Sequence, residues 1–396
     1  MALHNLGYSD EAMVAARAAL ALPDLGDADR VELLDLAFIS DHNAGRIESA
    51  LAHVDAALAL SLRTGNRHGI TRSRYRRGLQ LLQLDQVQAG EAELLAAVAD
   101  ADRFGFVRTE RIALYNLTCA YSVQGQADKA LAAAQRAWSL EPPLQPGPLR
   151  AILSVAIVDA QHALGDLGAA WRAAGPAVED AIAQDESAVR MIVASQAMET
   201  LAQVGEVALV RRLIGSIGDD VLGQVVNAAS EMWVSLAQFE LALGNPAAAE
   251  HALARLDAAG GLVEERVRVR HAQTRSGLAL ANGDAAAAIA ALPANDTAGM
   301  NRELCTRSLA LRIAAEARLG GLQEATLASA RAALAAPADH MAARLELHTA
   351  LARAARAGVA GVPASVLGEH AAFVAEVAES LREHPVQQAA FLEAWR

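Results

Sequence analysis

The sequence predicts an all-α protein built from stacked helix–turn–helix repeats. Three observations carry that prediction. Hydrophobic residues make up 53% of the 396-residue chain, yet aromatics only 4%, and there are just 11 prolines. Ala and Leu therefore dominate, both strong helix formers, and few strand formers compete. A glycine followed five residues later by a small residue recurs along the chain. Apolar residues at helical spacing follow such pairs, as at Ala130, Leu131, Ala134 and Ala137.

The recurring pairs are Gly7/Ala12, Gly45/Ala50, Gly125/Ala130, Gly165/Ala170, Gly244/Ala249, Gly283/Ala288 and Gly320/Ala325. Asp85/Gly90 and Gly205/Val210 fill the two remaining places imperfectly, so the first members follow one another at 37 to 40 residues. With 28 glycines in the chain, such a spacing is not accidental. The glycine ends one helix in a left-handed cap, where a Cβ is a burden. The next residues turn the chain and open a second helix, as in Ser9-Asp10-Glu11, Ala127-Asp128-Lys129 and Leu322-Gln323-Glu324. The small residue sits where the two helices cross most closely. One such hairpin cannot bury its own apolar face, and stacked neighbours bury a continuous core.

Taken in order, residues 1–24 read as a partial first repeat. Ser9 to Leu22 forms a complete second helix with Ala12, Ala16 and Ala19 inward, but only six residues precede Gly7. A terminal unit normally carries a polar outer face, and this one does not. The expectation is that the chain is the C-terminal part of a longer protein, or that a partner covers this edge, which also offers a surface for self-association. Residues 25–337 hold the regular repeats, with first helices starting near Asp27 before Gly45 and near Phe106 before Gly125. Pro142 and Pro337 lie past second helices, which a proline cannot extend. Glu141 to Pro148 is the most proline-rich loop, readable as a kink in the stack or as one long inter-repeat connection. No separate second domain is read. Residues 338–396 form a divergent last repeat and a capping helix, Pro385 to Trp395, with Pro385 suited to the first turn. Phe391, Leu392 and Trp395 are placed to cover the last open face.

The pattern of Leu117, Thr118, Tyr121, Gly125, Ala130, Ala137 and Pro142 resembles the tetratricopeptide repeat family, with Thr118 where that family usually has Gly and Leu114 in place of its leading Trp. Leu319 to Pro337 matches the later half of the motif nearly as well. The resemblance implies a right-handed superhelical α-solenoid of about nine repeats, with the first helices lining a concave groove. The period exceeds the family's usual length, so the helices should be about a turn longer. Long, Ala-rich repeats of this kind look like the sensor regions of large bacterial signalling ATPases of the LuxR and maltose-regulator type.

Recognisable chemistry is absent. Lys129 is the only lysine and no Gly-Lys dipeptide occurs, which excludes a P-loop; HExxH, GxSxG and a dinucleotide-binding fingerprint are missing too. No DNA-binding helix–turn–helix is read at the C-terminus. A net charge of −12 argues against binding nucleic acid or an anionic membrane directly. Cys119 and Cys305 form no CxxC pair and read as buried, unreactive thiols. With no leader-like start and no long apolar run, the chain reads as soluble and cytoplasmic. His340 and His348 share a face of one helix but are too far apart to hold a metal together. Neither a metal nor a cofactor is expected. Glu264 and Glu265 read as a solvated helix start.

The most unusual local charge runs from Arg63 to Arg77, with arginines at 63, 67, 72, 74, 76 and 77. Arg72 and Arg76 share a face of a first helix, Tyr75 lies beside them, and Asn116 corresponds to Arg76 forty residues on. In peptide-clamping members of the resembled family, Asn and basic residues at such groove positions hold a ligand carboxylate. Arg72, Tyr75, Arg76 and Asn116 are therefore the candidate binding residues, since guanidinium takes carboxylate bidentately. The competing reading is that these arginines pair with nearby acidic helices. A second basic run, Arg266, Arg268, Arg270 and Arg275, reads as a solvated face alternating with Glu264 and Glu265. The function expected is a non-enzymatic scaffold that binds a protein, a peptide or a small effector, as the sensor region of a larger signalling or transcriptional regulator. The alternatives are a structural oligomerisation platform and an enzyme with a groove site that no motif reveals.

Overall fold

A computed structural model describes residues 9–22, 24–84, 86–218, 226–258, 265–293, 301–336 and 340–395, with the side chains of 9–13 and 226–228 excepted. Gly7, Asp85, Glu264, Pro337 and the side chain of Ala12 thus lie outside the described residues. Twenty helices and no strand occur among the described residues, as the composition predicts. In chain order they are α1 (Ser9–Leu20), α2 (Asp27–Asn43), α3 (Ile47–Thr64), α4 (Arg67–Gln83), α5 (Val87–Phe104), α6 (Val107–Val123) and α7 (Ala127–Ser139). There follow α8 (Pro148–Leu164), α9 (Leu167–Ile182), α10 (Ser187–Gln203), α11 (Val207–Gly215), α12 (Val226–Ala242) and α13 (Pro246–Ala258). The last seven are α14 (Glu265–Ala281), α15 (Ala285–Ala291), α16 (Arg302–Arg318), α17 (Glu324–Ala335), α18 (Met341–Arg356), α19 (Ser365–Glu379) and α20 (Pro385–Ala394).

The repeat glycines do what the spacing requires. Gly45, Gly125, Gly165, Gly205, Gly244, Gly283 and Gly320 all have positive φ, between 70° and 99°. At Gly45 the Arg46 N–H reaches back to the Asp41 carbonyl at 2.8 Å, and Glu206 does the same to Leu201 at 2.8 Å. These bonds satisfy carbonyls that the helix end would leave open. The small partners are the crossing points: Ala50, Ala130, Ala170, Val210, Ala249 and Ala288 are fully buried. One close crossing is between α4 and α5. A Cβ on Gly90 would lie 2.9 Å from the Gly78 carbonyl oxygen, and one on Gly78 would lie 2.9 Å from that of Gly90. Here only glycine lets the two backbones touch. One expectation is corrected. Ala325 is exposed, and Thr326 is the buried residue of that hairpin. The doubled glycine Gly320-Gly321 lengthens the turn, and the Thr326 hydroxyl donates to Glu316 at 2.8 Å.

Read from sequence as one continuous array, the chain separates by its contacts into two compact units. The first holds α1–α5, most of α6 and the C-terminal part of α7. The second holds the remainder of those two helices and α8–α20 apart from the first turn of α12. Within the first unit, α1 to α5 pack in succession, each on the next. The long loop after α7 is held from inside: Arg111 donates to the Ala137 carbonyl at 3.2 Å and to those of Leu140 and Pro142.

Within the second unit the chain returns on itself. The helix α18 packs on α8, and α20 packs on α10. Phe391 is fully buried with Leu167, Val204, Leu345, Val377 and Leu381. The C-terminal helix does cover an apolar face, but that face belongs to α9, the end of α10, α18 and α19 together. The Leu167 N–H donates to Ser380 Oγ at 3.1 Å, and a Cβ on Gly168 would sit 2.1 Å from the Ser380 carbonyl oxygen. No helix among the described residues is long and apolar enough to cross a membrane.

Candidate functional site

First helices of successive repeats present equivalent positions to one another about forty residues apart. A polar side chain there meets its counterpart one repeat along. In the first unit Arg72 Nη2 lies 2.7 Å from Glu32 Oε1 and also pairs with Asp35, which Arg76 engages from its other side. His42 Nδ1 and Gln80 Nε2 are 3.1 Å apart. In the second unit His162 meets Gln203 at 3.1 Å, Ser235 donates to the Ser195 carbonyl at 3.1 Å, Glu231 pairs with Arg270, and Arg307 pairs with Glu346. Each unit thus carries a polar ladder on its first helices.

The four residues singled out from sequence fall on this ladder. The Arg76 guanidinium lies 5.0 Å above the Phe38 ring and 5.8 Å from Tyr75. Asp35 is buried, and that burial keeps its carboxyl above the ordinary value against the pull of Arg76 and Arg72. Asn116 is buried on α6, and no hydrogen bond joins it to Arg72, Tyr75 or Arg76 among the described residues. The structure therefore brings Arg72 and Arg76 together on Asp35, sets Tyr75 beside Arg76, and joins Asn116 to none of them by a hydrogen bond among the described residues. The arginines pair with acidic groups one repeat earlier, so a ligand carboxylate would have to compete with Asp35. Burial also holds His42 neutral, with its pKa lowered to about 4.

The densest part of the ladder is in the second unit. Arg307 on α16 lies 2.7 Å from Glu199 of α10 and 3.1 Å from Glu303 one turn before it, and it also pairs with Glu346 of α18. His340, just before α18, stands 3.8 Å from Glu303, and its ring contacts that of His162 edge-on with centroids 5.7 Å apart. Three carboxylates face one guanidinium. Burial opposes ionisation of Glu199, but Arg307, His162 and His340 outweigh it and hold its pKa at about 2. Burial equally opposes ionisation of Glu303, and His340, Arg307, Arg266 and Arg270 bring it well below the ordinary range. Glu346 is the odd one out. Burial raises it, Arg307 resists, Glu199 and Glu303 add repulsion, and the result is about 7. Burial lowers the His340 pKa against the attraction of Glu303. Asp159, Arg266, Glu303 and His340 line a small cleft that is partly open to solvent, with room for little more than one water molecule.

This cluster was not singled out from sequence, although a signal existed. Glu32/Arg72, Glu231/Arg270 and Arg307/Glu346 are opposite charges one repeat apart on first helices. Two further expectations change. Half of the second basic run faces inward: Arg270 meets Glu231, Ser235 Oγ at 2.9 Å and Gln238 at 2.7 Å, and Arg266 lines the cleft. Only Arg268, against the exposed Glu265, and Arg275, against Asp257, keep the solvated arrangement. The histidines are packed rather than paired, with His348 stacked on Phe373 at 4.7 Å. Cys119 and Cys305 form no disulfide and are half-buried rather than buried. No group of His, Cys, Asp or Glu suited to a metal ion occurs among the described residues. Chemically, the arrangement can recognise charge and exchange protons near neutral pH. No protein-family model matches the chain, and no curated protein matches it either.

Proposed function

We propose that the protein is a helical-repeat binding scaffold of tetratricopeptide-like build, whose first helices line a surface that takes a protein, a peptide or a small effector. Its place would be the sensor or interaction region of a larger bacterial signalling or transcriptional regulator, as the resemblance of its long Ala-rich repeats implies. The observation that carries the reading is the charged ladder on the first helices. Buried ion pairs add little net stability, because desolvation offsets their attraction, and an apolar core of equal volume would hold such an array at least as well. Charge kept on this face, with Glu199 at 38% and Glu346 at 30% side-chain exposure, serves recognition better than stability. Repeat arrays use the same face for ligands because each unit adds one more helix to it. Affinity capture on the immobilised chain tests this. The expected result is a partner retained by the wild type and released by Glu199→Lys or Arg72→Glu, but not by the outward Arg382→Glu. Equal capture by all of them would refute it.

A second reading, self-association, is favoured by the outer face of α1. Val14 is 68% exposed and Leu22, just beyond the helix, 56%. Sedimentation that gives a monomer at every concentration would remove it.

A further inference from the structure

The first unit carries a second feature that the ladder does not absorb. Two inter-helix junctions share a motif forty residues apart: Arg63-Thr64-Gly65-Asn66-Arg67-His68 and Arg103-Phe104-Gly105-Phe106-Val107-Arg108. Gly65 and Gly105 are both left-handed caps, with φ of 67° and 71°, so the two junctions have the same backbone course. The repeat brings them side by side. Arg67 lies over the Phe104 ring at 4.7 Å and Arg103 lies over the same ring at 5.3 Å. Phe104 meets Phe106 at 5.9 Å, and Phe106 meets His68 edge-on at 5.1 Å. Arg63, Arg67, His68, Arg103 and Arg108 are all exposed.

The acidic groups nearby do not neutralise this edge. Asp27 reaches only Arg63, at 3.5 Å; Asp100 is taken by Arg74, and Asp102 lies 3.7 Å from Arg136. Among the described residues, no carboxylate lies within ion-pair distance of Arg67, Arg103 or Arg108. Exposed arginines such as Arg268 and Arg382 do have one, and Arg331, Arg353 and Arg356 do not, so what marks this edge is the gathering of its arginines around one aromatic ring. The placement also runs against local stability. Arg67 and His68 occupy the first turn of α4, which contains no acidic residue, where the helix dipole disfavours cations. The cationic first turn opposes the dipole and is held within the chain by the Phe104 ring rather than by a carboxylate, and such local conflicts mark functional surfaces.

We propose that this edge binds a carboxylate-rich segment of a partner protein. A guanidinium held over a ring keeps its N–H groups available, and their fork fits a carboxylate. The N-termini of α4 and α6 favour an anion, while the C-termini of α3 and α5 at the same junctions offset them, so the attraction rests on the arginines. Leu62 is 54% exposed one residue before Arg63, and it offers an apolar contact beside the charges. A partner segment that combines Asp and Glu with an apolar side chain matches both. The net charge of −12 opposes every anionic ligand and a long nucleic acid more than a short acidic segment, which also brings a side chain for the contact at Leu62. This surface is separate from the first-helix ladder, and its test does not depend on the ladder's ligand.

The test is fluorescence polarisation with the full chain and four labelled probes: a short Asp/Glu peptide containing one Phe, its Lys counterpart, a Ser counterpart and a single-stranded oligonucleotide of matching charge. The acidic peptide should bind, should weaken as salt is raised, and should lose roughly tenfold or more in affinity in Arg67→Glu/Arg103→Glu. Arg382→Glu should leave binding unchanged. Because these side chains are exposed, the variants should keep the wild-type helical spectrum. If the charge reversal disturbs it, Arg67→Ala/Arg103→Ala replaces it, with a smaller loss expected. The proposal is overturned if the acidic peptide binds no better than the Ser peptide, if the double variants bind like the wild type, or if the oligonucleotide binds more tightly than the peptide.

Discussion

Glu346 gives the sharpest prediction. Its carboxyl is raised from an ordinary 4.5 to about 7 by burial and by the neighbouring Glu199 and Glu303, with only Arg307 opposing. The folded protein therefore holds this proton more tightly than the unfolded chain. The contribution is fully present below about pH 4.5 and is lost as pH rises through about 7. A shift of that size corresponds to roughly 3 kcal/mol at most. The side chain is 30% exposed, so solvent screening reduces this to about 1–2 kcal/mol. Glu346→Gln keeps the shape and stays neutral at every pH. It should match the wild type near pH 5 and exceed it by about 1–2 kcal/mol near pH 8 in urea unfolding. Comparing the two proteins cancels the titrating groups that do not interact with Glu346. A difference that does not change with pH, or a variant weaker than wild type near pH 8, would refute the reasoning.

Four further outcomes follow. Glu199 has the opposite sign: its pKa is held at about 2, so its contribution is present above its unfolded value and lost as pH falls towards 2. Glu199→Gln should therefore flatten the acid limb of a stability profile, and an unchanged limb would count against the Arg307 pairing. Asp35→Ala strands Arg76 and leaves Arg72 with Glu32 alone, and should cost about 2–4 kcal/mol in urea melts. Gly90→Leu forces α4 and α5 apart at a backbone contact and should cost about 3 kcal/mol or more, whereas an exposed substitution such as Ala325→Leu should cost almost nothing. Phe391→Ala should cost about 3–5 kcal/mol, with hydrogen exchange rising in α9 and α18 as well as in α20.

The helices and their turns were legible because their causes are local. A left-handed cap needs glycine and a close crossing needs a small side chain, and both leave a mark at fixed spacing. The exception shows the rule: the second glycine at Gly321 lengthens one turn, and the buried position moves from Ala325 to Thr326. The return of α18 and α20 onto α8 and α10 was not legible. Periodicity says that Phe391 and Leu345 are inward, but not that Leu167 and Val204 are what they meet. The ionic cluster was hidden for the same reason. Glu199 and Arg307 are 108 residues apart, and nothing local joins them. The arginine-rich α4 drew notice as a charge run, yet its inward members are satisfied by Asp35. Arg67, at its first turn, and Arg103, at the next junction, meet an aromatic ring instead. A run of like charges reports composition, and only packing reports which of its members are already paired.

The central claim is that the first helices present the binding surface. Photo-crosslinking measures this most directly. A photoreactive residue is placed at Tyr75 or at Ser308, both on first helices beside the ladder, and in control proteins at Ala325 or Arg382, both exposed elsewhere. The account predicts a crosslinked partner or effector from the first two positions and none from the controls. Crosslinks of equal yield from all four positions, or from the controls alone, would contradict it.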